Sequence, residues 1–142
     1  MDSVSEHILK KYKLSFTLSR KKILDLFINS KYALIHSEIE KELHPLNRIT
    51  TYRTLQVFLK KGIIHLVPSS NNSIKYALTK QDEKNKYTQK NHIHFFCYNC
   101  NKTVCLPQII IPDIKLPKGY KGKYHDIIIT GICSDCRLFQ LT

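Results

Sequence analysis

Residues 92–100 read HIHFFCYNC. Two histidines and two cysteines within nine residues is the density of a metal site, and the fold depends on whether they serve one ion or two. Cys97 and Cys100 form one CxxC; a second, Cys133 and Cys136, follows after an interval of 32 residues. Two residues between cysteines let both sulfurs of a tight turn face one ion, and two such turns complete a tetrahedral four-thiolate shell with Zn–S bonds of about 2.3 Å. Such a closed shell leaves no position for water, so a zinc ion there is structural rather than catalytic. Buried or redox thiols are the weaker reading, since a dithiol redox motif needs a single CxxC. With both cysteines committed, His92 and His94 need another role. On a strand, residues two apart share a face, so the two imidazoles point the same way. Cys105, left over from the two pairs, follows in the strand leaving the first knuckle. His92, His94 and Cys105 thus form an imidazole and thiolate set, which suits zinc or copper(I) better than iron(II), manganese or magnesium. Surface histidines beside a core thiol are the plain alternative.

Upstream, apolar residues recur at helical spacing from Ser3 to Gly62: Val4, Ile8 and Tyr12; Ile23, Leu24, Phe27 and Ile28; Ile39 and Leu43; Leu55, Phe58 and Leu59. This predicts four short helices. Ser37 with Glu40 has the pattern of a capping box opening the third, and Gly62 sits where the fourth stops. The pattern then changes to IIHLVP and IKYAL around SSNNS, two strands and a turn. Helices followed by a small hairpin predict a winged helix-turn-helix over residues 1–78. Residues 79–91, TKQDEKNKYTQKN, hold no aliphatic side chain and read as a linker. Residues 92–142 are rich in β-branched and aromatic runs, so the fold class is α+β, with a small β-rich zinc-binding domain at the C-terminal end.

The chain has 142 residues, 42% of them hydrophobic, enough for one large domain or two small ones. With 23 Lys and Arg against 11 Asp and Glu, its formal charge of +12 points to a polyanionic partner. Residues 1–62 carry a surplus of 6 positive charges and residues 92–142 a surplus of 3, which four zinc-bound thiolates reduce to about +1. The nucleic-acid face is therefore expected on the helical domain. No stretch reaches the roughly 18 apolar residues of a membrane helix, and MDSVSEHILKK is too polar for a secretory signal. These features predict a soluble, cytoplasmic protein with no membrane partner. The zinc deaminase pattern, a Ser/His/Asp arrangement and a phosphate-cradling glycine loop are all missing, so the chain reads as no enzyme.

LSFTLSRKKILDLF, ITTYRTLQVFLKKGII, HIHFFCYNC and GICSDC, in this order, resemble the ferric uptake regulator family of bacterial metal-dependent transcriptional repressors. The resemblance spans nearly the whole chain, and T-x-Y-R-T-L with H-x-H-F-x-C-x-x-C is highly specific. It implies a homodimer on a double-stranded operator of approximate two-fold symmetry, repressing metal-uptake genes. It also implies C-terminal domains that pair through strands. Thr50, Thr51, Tyr52 and Arg53 then fall near the start of the recognition helix, with Arg20 adding a phosphate or base contact. Structural zinc falls on Cys97, Cys100, Cys133 and Cys136, and the sensing site on His92, His94 and Cys105.

The departures are informative. Many members have a carboxylate at Cys105, so soft sulfur here favours Zn²⁺ over Fe²⁺ and over peroxide sensing. Ala77 stands where some members supply a ligand from the end of the wing. The N-terminal-domain histidine of relatives has no equivalent at its usual position, but His36 lies about one helical turn away; His65 in the wing strand is the weaker candidate. His125 matches a ligand of an additional site whose companions fall on Asn91, Ile93 and Pro112, which argues against that site. Pro107, Pro112 and Pro117 predict that a helix often found in relatives is missing between Leu106 and Tyr124, leaving QIIIP as strand, core or dimer surface. The expected mechanism is a sensing ion on His92, His94, Cys105 and a group from the helical domain, joining the two domains. A zinc-ribbon RNA-binding or ribosome-associated protein is the principal rival. A metalloenzyme is the other.

Overall fold

The computed structural model describes residues 3–67, 73–79, 93–106, 108–109, 111–122 and 127–140. The predicted linker, apart from Thr79, lies outside these residues, as do His92 and His125. The four predicted helices run over Val4–Lys11 (α1), Leu18–Asn29 (α2), His36–Glu42 (α3) and Arg48–Lys61 (α4). Ser3, Thr17 and Asn47 cap the first, second and fourth, their side-chain oxygens accepting from first-turn N–H groups. The fourth ends on Gly62 at φ 79°, a left-handed position that costs a residue with a Cβ roughly 1–2 kcal/mol. Leu9, Ile23, Leu24, Phe27, Ile39, Leu55 and Phe58 meet in one buried core.

The capping box of α3 is a correction. The helix opens at His36, and the Glu38 carboxylate, not Glu40, reaches back to accept from the Ile35 N–H at 3.2 Å. Leu34–Ile35 (β1) is a short strand paired with Lys75–Leu78 (β3), so the helix begins as soon as that strand ends. Ile64–Val67 (β2) pairs on the other side of β3, giving a three-stranded wing sheet in the order β1-β3-β2. The second sheet holds Ile93–Cys97 (β4) at its centre, with Thr103–Leu106 (β5) antiparallel and Ile127–Gly131 (β6) parallel to it. Ser134–Gln140 (α5) follows. The run around QIIIP forms no strand among the described residues: Ile109 is 41% exposed, and residues 111–122 hold no helix or strand. Pro112 and Pro117 account for that.

The two sheets face each other, and side-chain alternation decides which residues meet. In the wing sheet, Ile64 and Tyr76 turn inward to the helical core. Their neighbours His65, Val67, Lys75 and Ala77 occupy the opposite face, His65 directly across from Ala77 and Val67 across from Lys75. In the second sheet His94 pairs with Cys105, and Phe96 with Thr103. Contacts cross the gap along this whole face: Ala77 packs in a buried cluster that reaches Cys105, and the Lys75 ammonium lies 5.2 Å from the Phe96 ring. The Ala33 N–H also donates to the Thr103 carbonyl at 2.8 Å.

Candidate metal centres and nucleic-acid interface

The first knuckle is a turn between β4 and β5. Asn101 takes the left-handed conformation at φ 61°, its N–H donating to the Cys97 carbonyl at 2.8 Å, which curls the chain around the two sulfurs. The second CxxC opens α5, where the Cys133 N–H points at Cys97 Sγ at 3.4 Å. The sulfurs of Cys97, Cys100, Cys133 and Cys136 all lie within 4.8 Å of one another, and Cys100 and Cys133 stand 3.9 Å apart. Two thiolates at about 2.3 Å from a tetrahedral zinc are about 3.8 Å apart, so the donor set fits that ion. Burial opposes ionisation of Cys97, yet backbone N–H groups of Cys100, Cys133 and Asn99 bring its thiol down to about 6. At Cys136 a hydrogen bond with Asn99 favours the thiolate, but the neighbouring sulfurs and burial push it up to about 12. Four sulfurs this close resist ionising together, and a divalent cation removes that resistance.

A second group of donors lies at the contact of the two sheets. The ligand atoms of His65, His94 and Cys105 lie within 4.8 Å of one another. His65 Nε2 is 3.5 Å from Cys105 Sγ, about the separation of a nitrogen and a sulfur bound at 2.0–2.1 and 2.3 Å to one tetrahedral ion. His65 Nδ1 lies 3.2 Å from the Thr79 hydroxyl, an outer partner that fixes the ring and leaves Nε2 facing the sulfur. His94 is 1% exposed, and its ring centroid is 6.0 Å from that of His65.

Of the predicted sensing residues, the structure thus brings together His94 and Cys105, and with them His65, named from the sequence only as the weaker candidate. His36 is not in this group: its Nδ1 lies 3.0 Å from Glu40, which also holds Arg48 Nε at 3.2 Å, and its ring stands 6.3 Å from that of Tyr52. The signal for His65 was cross-strand register with Ala77, which spacing along the chain does not reveal.

On α4 the predicted contact residues divide by helical phase. Tyr52 and Arg53 are exposed near the helix start and Thr50 is half-buried. Thr51 is a correction: it is 1% exposed, with its hydroxyl donating to the Asn47 carbonyl at 3.2 Å, so its side chain faces the core and not a groove. Arg20 is engaged locally, Nη1 donating to the Ser15 carbonyl at 2.8 Å and lying 2.9 Å from the Ser15 hydroxyl.

Residues 11–130 match the sequence model of the ferric uptake regulator family. The chain belongs to that family. A ferric uptake regulation protein of Staphylococcus epidermidis is 30% identical over 142 residues, covering 92% of this chain and 91% of its own. The peroxide operon regulator of Bacillus subtilis is 24% identical over 136 residues, covering 90% and 88%. Among solved structures, a zinc uptake regulator complexed with zinc and DNA superposes with a TM-score of 0.67 at 19% identity, covering 96% of this chain and 93% of that one. Ferric uptake regulator family members are metal-dependent DNA-binding transcription regulators, not enzymes. Among the described residues no helix is long and apolar enough to cross a membrane.

Proposed function

We propose that this family member is a zinc-responsive repressor in which a regulatory divalent cation is held by His65, His94 and Cys105, with Cys97, Cys100, Cys133 and Cys136 holding a structural zinc. One observation carries the reading: the three donors of the second group come from both sheets, His65 from the wing and His94 with Cys105 from the C-terminal sheet. A cation that needs donors from both binds the docked arrangement better than the open one, and that difference in affinity is what shifts the population. Two imidazoles and a thiolate favour zinc over iron(II). His92, two residues before His94, is the proposed fourth donor.

The working species is a homodimer on an operator of approximate two-fold symmetry, with Tyr52 and Arg53 at the start of α4 contacting DNA and Thr50 beside them. The exposed Ile129 of β6 and Leu138 of α5 support self-association through the C-terminal domain.

The test is metal content before and after mild chelation, followed by operator binding on adding back zinc, iron(II) or manganese. Two zinc equivalents per chain are expected, one removable, with zinc restoring binding. His65→Ala, His94→Ala and Cys105→Ser should each raise the zinc needed for operator binding by at least about tenfold, because loss of a donor costs no less than loss of its outer partner. His36→Ala should leave the zinc requirement unchanged. Restoration by iron(II) alone overturns the zinc assignment, and preference for RNA over the duplex overturns the repressor reading.

A further inference from the structure

Lys75 is a charged residue in a place charges avoid. It sits on the central strand of the wing sheet, is 4% exposed, and its ammonium donates to the Asn101 carbonyl at 2.7 Å and the Thr103 hydroxyl at 2.8 Å. Both acceptors belong to the C-terminal unit, Thr103 to β5 and Asn101 to the turn that joins β4 to it. Asn101 presents its carbonyl from the left-handed turn of the first knuckle, and Thr103 is fully buried opposite Phe96, over whose ring the ammonium lies.

A buried ammonium attracts its partners but loses its hydration, and the two contributions nearly cancel, so such a group adds little to the strength of docking. Its effect on geometry is larger. The two hydrogen bonds are short and directional, and a slip of the sheets would leave the charge buried without these acceptors, which costs the full desolvation of the group. The contact also lies one pleat from the second donor group. Lys75 and Ala77 share a face of β3, Ala77 is opposite His65, and Thr103 and Cys105 share a face of β5. Two residues along each strand separate the lysine contact from the His65–Cys105 pair, about 7 Å.

We infer that Lys75 is the positioning residue of this interface: clasped by Asn101 and Thr103, it lets the wing sheet seat on the C-terminal sheet in one register, and thereby sets where His65 meets His94 and Cys105. The first half stands on the geometry alone; the second rests on the metal-site reading proposed above.

The Ala33 N–H reports docking directly, since its acceptor is the Thr103 carbonyl across the interface. Lys75→Met alone removes a desolvation cost together with two hydrogen bonds, so the decisive experiment is a double-mutant cycle with Thr103→Val. Hydrogen exchange is measured on the full zinc-loaded chain, with amides of α4 as the control for intact folding. In the wild-type background Thr103→Val should lower Ala33 protection by roughly tenfold, because a buried charge loses an acceptor. In the Lys75→Met background the same change should alter it less than twofold. Equal effects in both backgrounds, or no effect in either, overturn the inference.

Zinc-dependent operator binding is read in parallel, where Thr103→Val should raise the zinc requirement by a similar factor only when Lys75 is present. Coupling seen in exchange but not in zinc response would keep Lys75 as the positioning residue and remove the metal-site reading.

Discussion

On the reading proposed above, the atom offered at position 105 sets which metal the second donor group prefers. Sulfur beside imidazole is a donor combination that favours zinc over iron(II) and manganese. Cys105→Asp, which substitutes hard oxygen at the same strand position, should weaken zinc activation and let iron(II) or manganese support operator binding at concentrations that leave the wild type inactive. Fluorescence anisotropy on a labelled operator across the three metals checks this, and an unchanged metal ranking would show that sulfur does not set the selectivity. At this scale the sequence was unevenly informative. The four-cysteine group was legible because CxxC is a local signature whose geometry needs no knowledge of the rest of the chain. His65 was legible only as the weaker candidate, because its place beside His94 and Cys105 arises from register across the ladder and from a second sheet, neither of which leaves a mark in spacing. Thr51 was misjudged for a related reason: helical phase, not nearness to Tyr52 and Arg53, turns it into the core.

Among the elements, α4 joins the wing to the helical core, and its two ends are fixed by different devices. Asn47 accepts from the Ile49 N–H at 2.8 Å at one end, and Gly62 closes the other in a left-handed conformation. Gly62→Ala should lower stability by about 1–2 kcal/mol, the cost of holding a Cβ at that φ, measurable as a reduced midpoint in urea with no change in slope. A loss well under half a kcal/mol would mean that the turn relaxes. The helices and the strands of the wing were readable from periodicity, since each is long enough to repeat its pattern. The two-residue strand β1 was not, and its pairing with β3 is what moved the start of α3 and transferred the capping role from Glu40 to Glu38. The absence of a helix over residues 111–122 was legible in Pro112 and Pro117. The helix beginning at Ser134 was obscured by the second CxxC, whose sulfurs read as a turn.

For the molecule as a whole, the proposed zinc on the four-cysteine group would stabilise the sheet on which two donors of the second group, His94 and Cys105, lie. Cys100→Ser, or prolonged chelation strong enough to remove both ions, should unfold the C-terminal sheet, since a structural zinc contributes about 10 kcal/mol or more to its fold. Circular dichroism and Ala33 exchange should change together. A C-terminal sheet that stays intact after the loss would reassign these sulfurs to another role. The α4 amides should remain protected, because the buried helical core contains none of the metal donors. The pairing of His65 with Ala77 has a consequence for how metal sites drift between related chains. Facing residues of an antiparallel ladder are only about 4.5–5.5 Å apart, so a donor lost from one strand can be supplied by its opposite number with little displacement of the ion. With His65 as the proposed wing donor, the site is inherited as a location in space, and a column-by-column comparison that finds alanine at position 77 would record a missing ligand where the donor has only changed its address.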